Sequence, residues 1–152
     1  MLRQLLSEGF VPSLVITEDS EIATEEREKF LIRIAGNDIA PEVCAQLAEV
    51  EAKIGKSIPH VTVEKHVSSQ VMPHLDALGE RLDLVVLGGT RIIRGKILEF
   101  PKYAVLNSHP GLLPDCRGSA SPAWSVYHDI KIGSSTHFCD PGIEVCAPPP
   151  PR

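Results

Sequence analysis

The stretch VLNSHPGLLPDCRGSASPAW, residues Val105 to Trp124, combines an apolar start with an amide, an imidazole and several turn residues. Its first residues complete the segment YAVLN, a pattern typical of a buried strand, and Asn107 and His109 stand two positions apart where that strand should end. Residues two apart in an extended chain share one face of a sheet. The sequence therefore predicts an amide and an imidazole that face a common reacting atom.

Segments around this stretch alternate between strand-like and helix-like patterns. PSLVIT, IPHVTVEK and LDLVVLGG are apolar runs that predict strands, of which LDLVVLGG is the clearest buried one, and SSTHF predicts a short return strand. Helical patterns lie at the N-terminus, around 25–34, after Pro41 and over 69–78. The alternation predicts an α/β fold, a doubly wound and mostly parallel sheet with helices on both faces, where ligands bind beyond the carboxyl ends of the strands.

The segment SPAWSVYHDI predicts a helix with Ser121 as its N-cap and Pro122 in its first turn. Trp124 and Tyr127 have helical spacing, which predicts that both lie in the core. The tail CAPPPPR cannot continue a central strand, because proline lacks the backbone donor. We therefore expect one α/β domain over residues 1–144 and a Pro-rich, disordered tail over 145–152.

Composition narrows the class of partner. The length of 152 residues corresponds to roughly one domain. A formal charge of -5 gives no electrostatic reason to expect nucleic-acid or membrane binding, so we expect a small-molecule partner and leave a homo-oligomer open. The four cysteines are scattered and the chain opens with no signal-peptide pattern, which favours a cytoplasmic protein.

An amide and an imidazole on one face suit acyl chemistry. An amide N–H can stabilise a developing oxyanion, and a histidine can exchange protons near neutral pH. The constellation lacks a carboxylate, for which the downstream segment STHFCDPGIE offers Asp140 and Glu144.

The motifs NSHPGLLPDCRG, SPAW, GSSTHFCDPGIE and LGGTRII together resemble the folate-dependent formyltransferases, the superfamily of glycinamide ribonucleotide and methionyl-tRNA formyltransferases. The match is specific over residues 80–144, whereas residues 1–79 agree only in the order of strands and helices. The resemblance implies a formyltransferase-like sheet from which the first strand is missing, and a chain truncated at both ends.

The resemblance also implies a cytoplasmic enzyme of one-carbon metabolism, with a Rossmann-like fold, that transfers a formyl group from 10-formyltetrahydrofolate to a primary amine. Asn107 would stabilise the oxyanion of a tetrahedral intermediate, and His109 would assist and move protons. Glu144 takes the place of the family's catalytic aspartate, a departure that displaces the carboxylate by about one ångström. Asp140 is the weaker candidate for the acid and is placed with the residues that bind the donor.

The family segment that grips the pterin ring corresponds to GGTRII. The residues expected to contact the folate are Gly89, Arg91, Ile92, Ile93 and Leu106. We expect no metal site, because His137 and the cysteines lack the compact paired spacing of structural zinc sites.

Two alternatives to formyl transfer remain open. The first is an impaired or inactive remnant that binds folate or serves as an interaction module, and the second is a formyltetrahydrofolate hydrolase with the same residues. A tRNA acceptor is disfavoured by the absence of a basic face and of a second domain, and glycinamide ribonucleotide by the absence of a phosphate-gripping loop. The missing strand predicts that the isolated chain is poorly stable or oligomeric.

Overall fold

The computed structural model describes residues 2–35, 47–55, 57–118 and 120–139. The chain divides into two compact units, Met1–His66 and Val67–Arg152. The predicted Pro-rich tail lies outside the described residues, as does part of the helix expected after Pro41.

The first unit contains a parallel pair of strands. Its elements in chain order are α1 (Leu2–Ser7), β1 (Val15–Glu18), α2 (Glu21–Ile34), α3 (Leu47–Ile54) and β2 (His60–Val63). Val15 pairs with His60 and Glu18 with Val63. Ser20 begins α2 as its N-cap, because its hydroxyl oxygen accepts the backbone N–H of Ala23 at 3.1 Å. The acidic stretch over residues 25–28 of α2 is exposed.

The second unit contains the sheet that carries the stretch quoted above. Its elements are α4 (Ser68–Asp76), β3 (Leu84–Leu87), α5 (Lys96–Glu99), β4 (Ala104–His109), α6 (Ser121–Tyr127) and β5 (Ser135–Cys139). The strand order is β3-β4-β5, with β3 and β4 parallel and β5 antiparallel to β4. Val105 is buried at the centre of β4, and Val71, Leu75 and Ile97 are further buried residues of this unit.

The structure confirms the predicted α/β class with its mostly parallel strand pairing and its return strand. The strands predicted from PSLVIT, IPHVTVEK, LDLVVLGG, YAVLN and SSTHF all form. The short helix α5 was not predicted. None of the helices in the described part of the chain is long and apolar enough to cross a membrane.

Three expectations about local burial and capping are wrong. LDLVVLGG forms a strand, but Leu84 and Val86 on one of its faces are exposed. Trp124 and Tyr127 are not core residues, since they are 50% and 77% exposed. Ser121 is the first residue inside α6 and Ala120 is the N-cap; the Ser121 hydroxyl makes other contacts, described below.

Candidate active site

The strand β4 places Asn107 and His109 on one face of its sheet, as the alternation predicts. Leu87, the last residue of β3, pairs with Asn107 at the carboxyl ends of the two parallel strands. In the antiparallel register with β5, Asn107 lies opposite His137 and His109 lies opposite Ser135. The sheet therefore brings an amide and two imidazoles together on one face.

His137 is the site residue that the sequence reasoning missed, since we considered it only as a zinc ligand. The Asn107 Nδ2 atom lies 3.3 Å from His137 Nε2, and His137 Nδ1 lies 3.2 Å from its neighbour's carbonyl oxygen, that of Phe138. Because that carbonyl can only accept, the partners assign the ring proton of neutral His137 to Nδ1. Nε2 then accepts an N–H of Asn107. The alternation in STHFC indicates that His137 lies on one face of a strand, but only the pairing of β5 with β4 places it beside Asn107.

His109 is buried and makes two contacts through its Nε2 atom. Its Nε2 atom lies 2.9 Å from the carbonyl oxygen of Cys116 and 2.9 Å from the Ser121 hydroxyl oxygen. The carbonyl requires that Nε2 carry a proton, so the tautomer of neutral His109 is opposite to that of His137. The ring centroids of the two histidines are 6.5 Å apart, with their planes at 76°.

The loop between β4 and α6 folds back against the site. The Leu113 backbone N–H donates to the Ser135 hydroxyl at 3.0 Å, and the Cys116 N–H donates to the Leu112 carbonyl at 2.8 Å. Gly118 has a φ of 91°, a conformation that favours glycine. These contacts place the Cys116 carbonyl against the His109 ring.

The segment GGTRII leaves β3 beside Asn107, because the paired residue Leu87 comes directly before Gly88. Gly89 adopts a φ of 66°, and an added Cβ there would have no atom within 4 Å. Arg91 and Ile92 are exposed, whereas Ile93 is half-buried. The segment thus presents a turn, a guanidinium and an exposed apolar side chain at the same sheet edge as Asn107.

Leu106 also belongs to β4 and is half-buried, but the alternation places its side chain on the face opposite to Asn107. The two predicted acids, Asp140 and Glu144, lie outside the described residues. Within the ranges that the structure describes, no group of three or more His, Cys, Asp or Glu side chains is arranged to hold a metal ion.

Two open grooves of the second unit include neither Asn107 nor His109 in their lining. One of about 500 Å³ lies beside α4 and α5 and includes Met72, Arg81 and Phe100 in its lining. The other, of about 360 Å³, includes Cys116 and Trp124. Cys116 therefore lines an open groove and also contacts the buried histidine through its carbonyl oxygen.

Comparison with known proteins gives relatives in sequence and in fold, although no protein-family model matches the chain. A methionyl-tRNA formyltransferase of Thermodesulfovibrio yellowstonii is 31% identical over 144 residues, which are 94% of this chain and 42% of that protein. A methionyl-tRNA formyltransferase of Trichodesmium erythraeum is 38% identical over 61 residues, 40% of this chain and 18% of that protein. The chain thus spans less than half the length of these relatives.

Solved structures with the same fold carry related names. Glycinamide ribonucleotide transformylase 1 of Symbiobacterium toebii superposes with a TM-score of 0.58 at 24% identity, over 94% of this chain and 60% of that one. Phosphoribosylglycinamide formyltransferase of Bacillus halodurans gives a TM-score of 0.57 at 20% identity, over 95% and 66%. At these identities the likeness concerns the fold. The sequence relatives are methionyl-tRNA formyltransferases, and this chain is similar to a part of each of them.

Proposed function

We propose that the chain transfers a formyl group from 10-formyltetrahydrofolate to a small-molecule primary amine. The observation that carries the proposal is the common face of Asn107 and His109 at the carboxyl end of β4, beside the segment that follows β3. Ligands of open α/β sheets bind at such strand ends. The names of the relatives support formyl transfer as the reaction class.

The reaction begins when the lone pair of the acceptor amine forms a bond to the formyl carbon and the carbonyl oxygen takes up negative charge. The Nδ2 atom of Asn107 carries two N–H groups, of which one is directed at His137. We assign the other to the oxyanion, the position at which a fixed donor lowers the barrier. A proton then passes from the amine nitrogen to the folate nitrogen, the bond between that nitrogen and the formyl carbon breaks, and a formamide and tetrahydrofolate leave.

His109 is the group that we assign to this proton transfer. It lies on the same face as Asn107, and imidazole can both accept and release a proton near neutral pH. Glu144 is the carboxylate that we expect to assist it, with Asp140 as the weaker candidate. The downstream acid would hold the charged ring during the transfer.

The formyl donor would bind along the segment that follows β3. The turn at Gly89 and the exposed side chain of Ile92 fit a flat heterocycle, which needs backbone donors and an apolar wall. Arg91 and Ile93 are the further residues that we assign to this donor site; Leu106 stays a prediction, and since its side chain lies on the opposite face from Asn107 we assign only its backbone to the site. The acidic net charge of -5 favours a small-molecule acceptor over a nucleic acid or a membrane, and we expect the chain to act in the cytoplasm.

The test measures binding and turnover separately on the purified chain. Calorimetry with a non-reactive folate analogue measures donor binding. Formyl transfer is then followed with an amino sugar, with glycinamide ribonucleotide, with methionyl-tRNA and with no acceptor. We expect the analogue to bind and the formyl group to reach a small-molecule amine.

Asn107→Ala removes the proposed oxyanion donor and should lower kcat by roughly 100- to 1,000-fold. Ser108→Ala is the matched control, because Ser108 is the next residue of β4 and is exposed on the opposite face. Binding of the analogue without any turnover would contradict an enzyme and favour a folate-binding remnant. Turnover without an acceptor would indicate a hydrolase, and transfer to methionyl-tRNA would overturn the small-molecule acceptor.

A further inference from the structure

The buried side of α6 carries hydroxyl groups where a helix usually carries apolar residues. Ser121 and Ser125 are 0% and 1% exposed, one turn apart. The Ser121 hydroxyl oxygen lies 2.9 Å from His109 Nε2, whereas the Ser125 hydroxyl donates to the Cys116 sulfur. Burying a hydroxyl costs free energy unless it is hydrogen-bonded, so each of the two buried hydroxyls requires partners.

The Ser121 hydroxyl has its own proton directed away from the histidine. Its oxygen lies 2.5 Å from the carbonyl oxygen of Gly118, which can only accept. The lone pairs of the Ser121 oxygen are therefore the part of the group that can face His109 Nε2. The Cys116 carbonyl oxygen, 2.9 Å from the same nitrogen, is a second acceptor.

We propose that Ser121 is a positioning residue for His109: together with the Cys116 carbonyl it keeps a proton on Nε2, so that protons enter and leave the ring at Nδ1. A neutral ring with the proton on Nδ1 would set the Nε2 lone pair against two acceptor oxygens. In the charged ring both nitrogens carry protons, so the Nε2 contacts persist in both charge states. The catalytic consequence of this inference rests on the proposed function, whereas the tautomer does not.

The surrounding contacts hold Ser121 in place. The Cys116 Sγ atom donates to the Ser121 carbonyl at 3.1 Å, and the Ser125 hydroxyl donates to the same sulfur at 3.3 Å. A Cβ added to Gly111 would lie 2.7 Å from Ser121 Cβ and 2.9 Å from His109 Nε2. Real side chains do not approach that closely, so the three groups meet only because residue 111 is glycine.

The test reads the ring proton directly. Long-range 1H–15N correlation spectra of the histidine rings, recorded above neutral pH, show which nitrogen carries the proton, and His109→Gln identifies the His109 signals. We expect a protonated Nε2 in the wild type, and a clear change in both ring nitrogen shifts in Ser121→Ala. Ser125→Ala is the matched control, since it removes an equally buried hydroxyl from the same helix, and it should leave the His109 shifts as they are.

Activity provides a second readout. If the proposed function holds, Ser121→Ala should lower kcat roughly ten-fold with KM unchanged, well short of the loss of the general base itself, and Ser125→Ala should not. A wild-type His109 that carries its proton on Nδ1 overturns the inference without any variant. Unchanged ring shifts in Ser121→Ala overturn it as well. A chain with no formyl transfer contradicts the proposed function alone, because the spectra still decide the tautomer.

Discussion

The two sides of α6 reverse the usual distribution of residues on a helix. Ser121 and Ser125 are buried on one side, whereas Trp124, Val126 and Tyr127 are half to three-quarters exposed on the other. Amphipathic helices of globular proteins normally bury the apolar stripe. In this helix the buried side is specified by hydrogen bonds to His109, Gly118 and Cys116.

The exposed side is organised by contacts between its own rings. Trp124 stacks on His128 with centroids 5.6 Å apart and planes at 21°, and Tyr127 meets His128 edge-on at 4.8 Å. These ring contacts join residues of one local segment, whereas the serine contacts connect α6 to β4 and to the loop before it. The comparison teaches that polar side chains fix the position of α6 and that its aromatic side chains do not. Substitutions on the serine side should therefore lower the free energy of unfolding, whereas substitutions on the aromatic side should change it little.

The largest effect is expected where the serine side is most closely packed. Gly111→Ala places a methyl group 2.7 Å from Ser121 Cβ and 2.8 Å from the Cys116 carbonyl oxygen. Overpacking of this kind costs up to about 3 kcal/mol in free energy of unfolding, measured by urea denaturation. Gly133→Ala is the comparison variant. The three atoms nearest to its added Cβ all belong to the half-buried Leu112 side chain, which can move, so the loss of stability should be smaller. Equal losses in the two variants would contradict a special role for the serine side.

A smaller effect is expected from the thiol between the two serines. Cys116→Ala removes a buried side chain and the sulfur that accepts the Ser125 hydroxyl. We expect the free energy of unfolding to fall by about 1–2 kcal/mol, because a buried hydroxyl loses an acceptor and a small cavity forms. The half-buried Cys139 provides a control, and Cys139→Ala should cost less. A Cys116→Ala variant as stable as the wild type would show that these polar contacts contribute little.

The aromatic side should tolerate change. Tyr127→Ser and Val126→Ser alter exposed side chains, and each should change the free energy of unfolding by no more than about 0.5 kcal/mol. Trp124 is the chain's one tryptophan, so acrylamide quenching of fluorescence reports on this side alone. Quenching should be efficient in the wild type and stronger in Tyr127→Ser. A protected tryptophan, or a large loss of stability, would mean that this side of α6 is covered.

The smallest effect is expected from a polar contact that is exposed instead of buried. On α2, the Lys29 Nζ atom lies 2.8 Å from a Glu25 carboxylate oxygen and 3.2 Å from one of Glu26. The hydrogen bond and charge of Lys29 hold the pKa of Glu25 below its ordinary value, and the hydrogen bonds that Lys29 donates to Glu25 and Glu26 raise its own pKa above the ordinary value.

Any stability from Glu25 is thus present above its ordinary pKa and is lost as the pH falls through the lowered value. Lys29→Met should leave the thermal midpoint at neutral pH almost unchanged, because solvent screens exposed pairs. Whatever difference remains should disappear in acid. A drop at neutral pH as large as that of Cys116→Ala would break the distinction between buried and exposed polar contacts.

The sequence predicted the strands well because each is a short apolar run between glycine, proline or polar residues. Burial was harder to predict. The run that contains Leu84 and Val86 is as apolar as that of a covered strand, and periodicity cannot report what lies against each face. The same limit applies to Trp124 and Tyr127, whose spacing gives a helix face but not its neighbour. Four-residue α5 is too short to show a helical period.

For the candidate site too, residues placed by local sequence were predicted, and residues placed by tertiary contacts were not. Asn107 and His109 were identified from local sequence, because alternation along one strand places both on one face. His137 was not, because its place beside Asn107 depends on the register between β4 and β5, which are 30 residues apart at this pair. Ser121 was assigned to a cap because serine before a proline usually begins a helix. Its contact with His109 is tertiary.

Because the two histidines have opposite tautomers, a second ring proton would have a different effect on the hydrogen bonds of each. A second proton on His137 would turn its Nε2 into a donor, so the Asn107 amide would have to rotate and offer its oxygen to that ring. The oxyanion donor would then be withdrawn. A second proton on His109 would leave its bonds to Cys116 and Ser121 intact. A charged His137 would thus disable the amide, although His137 carries no assigned role in the proton transfer.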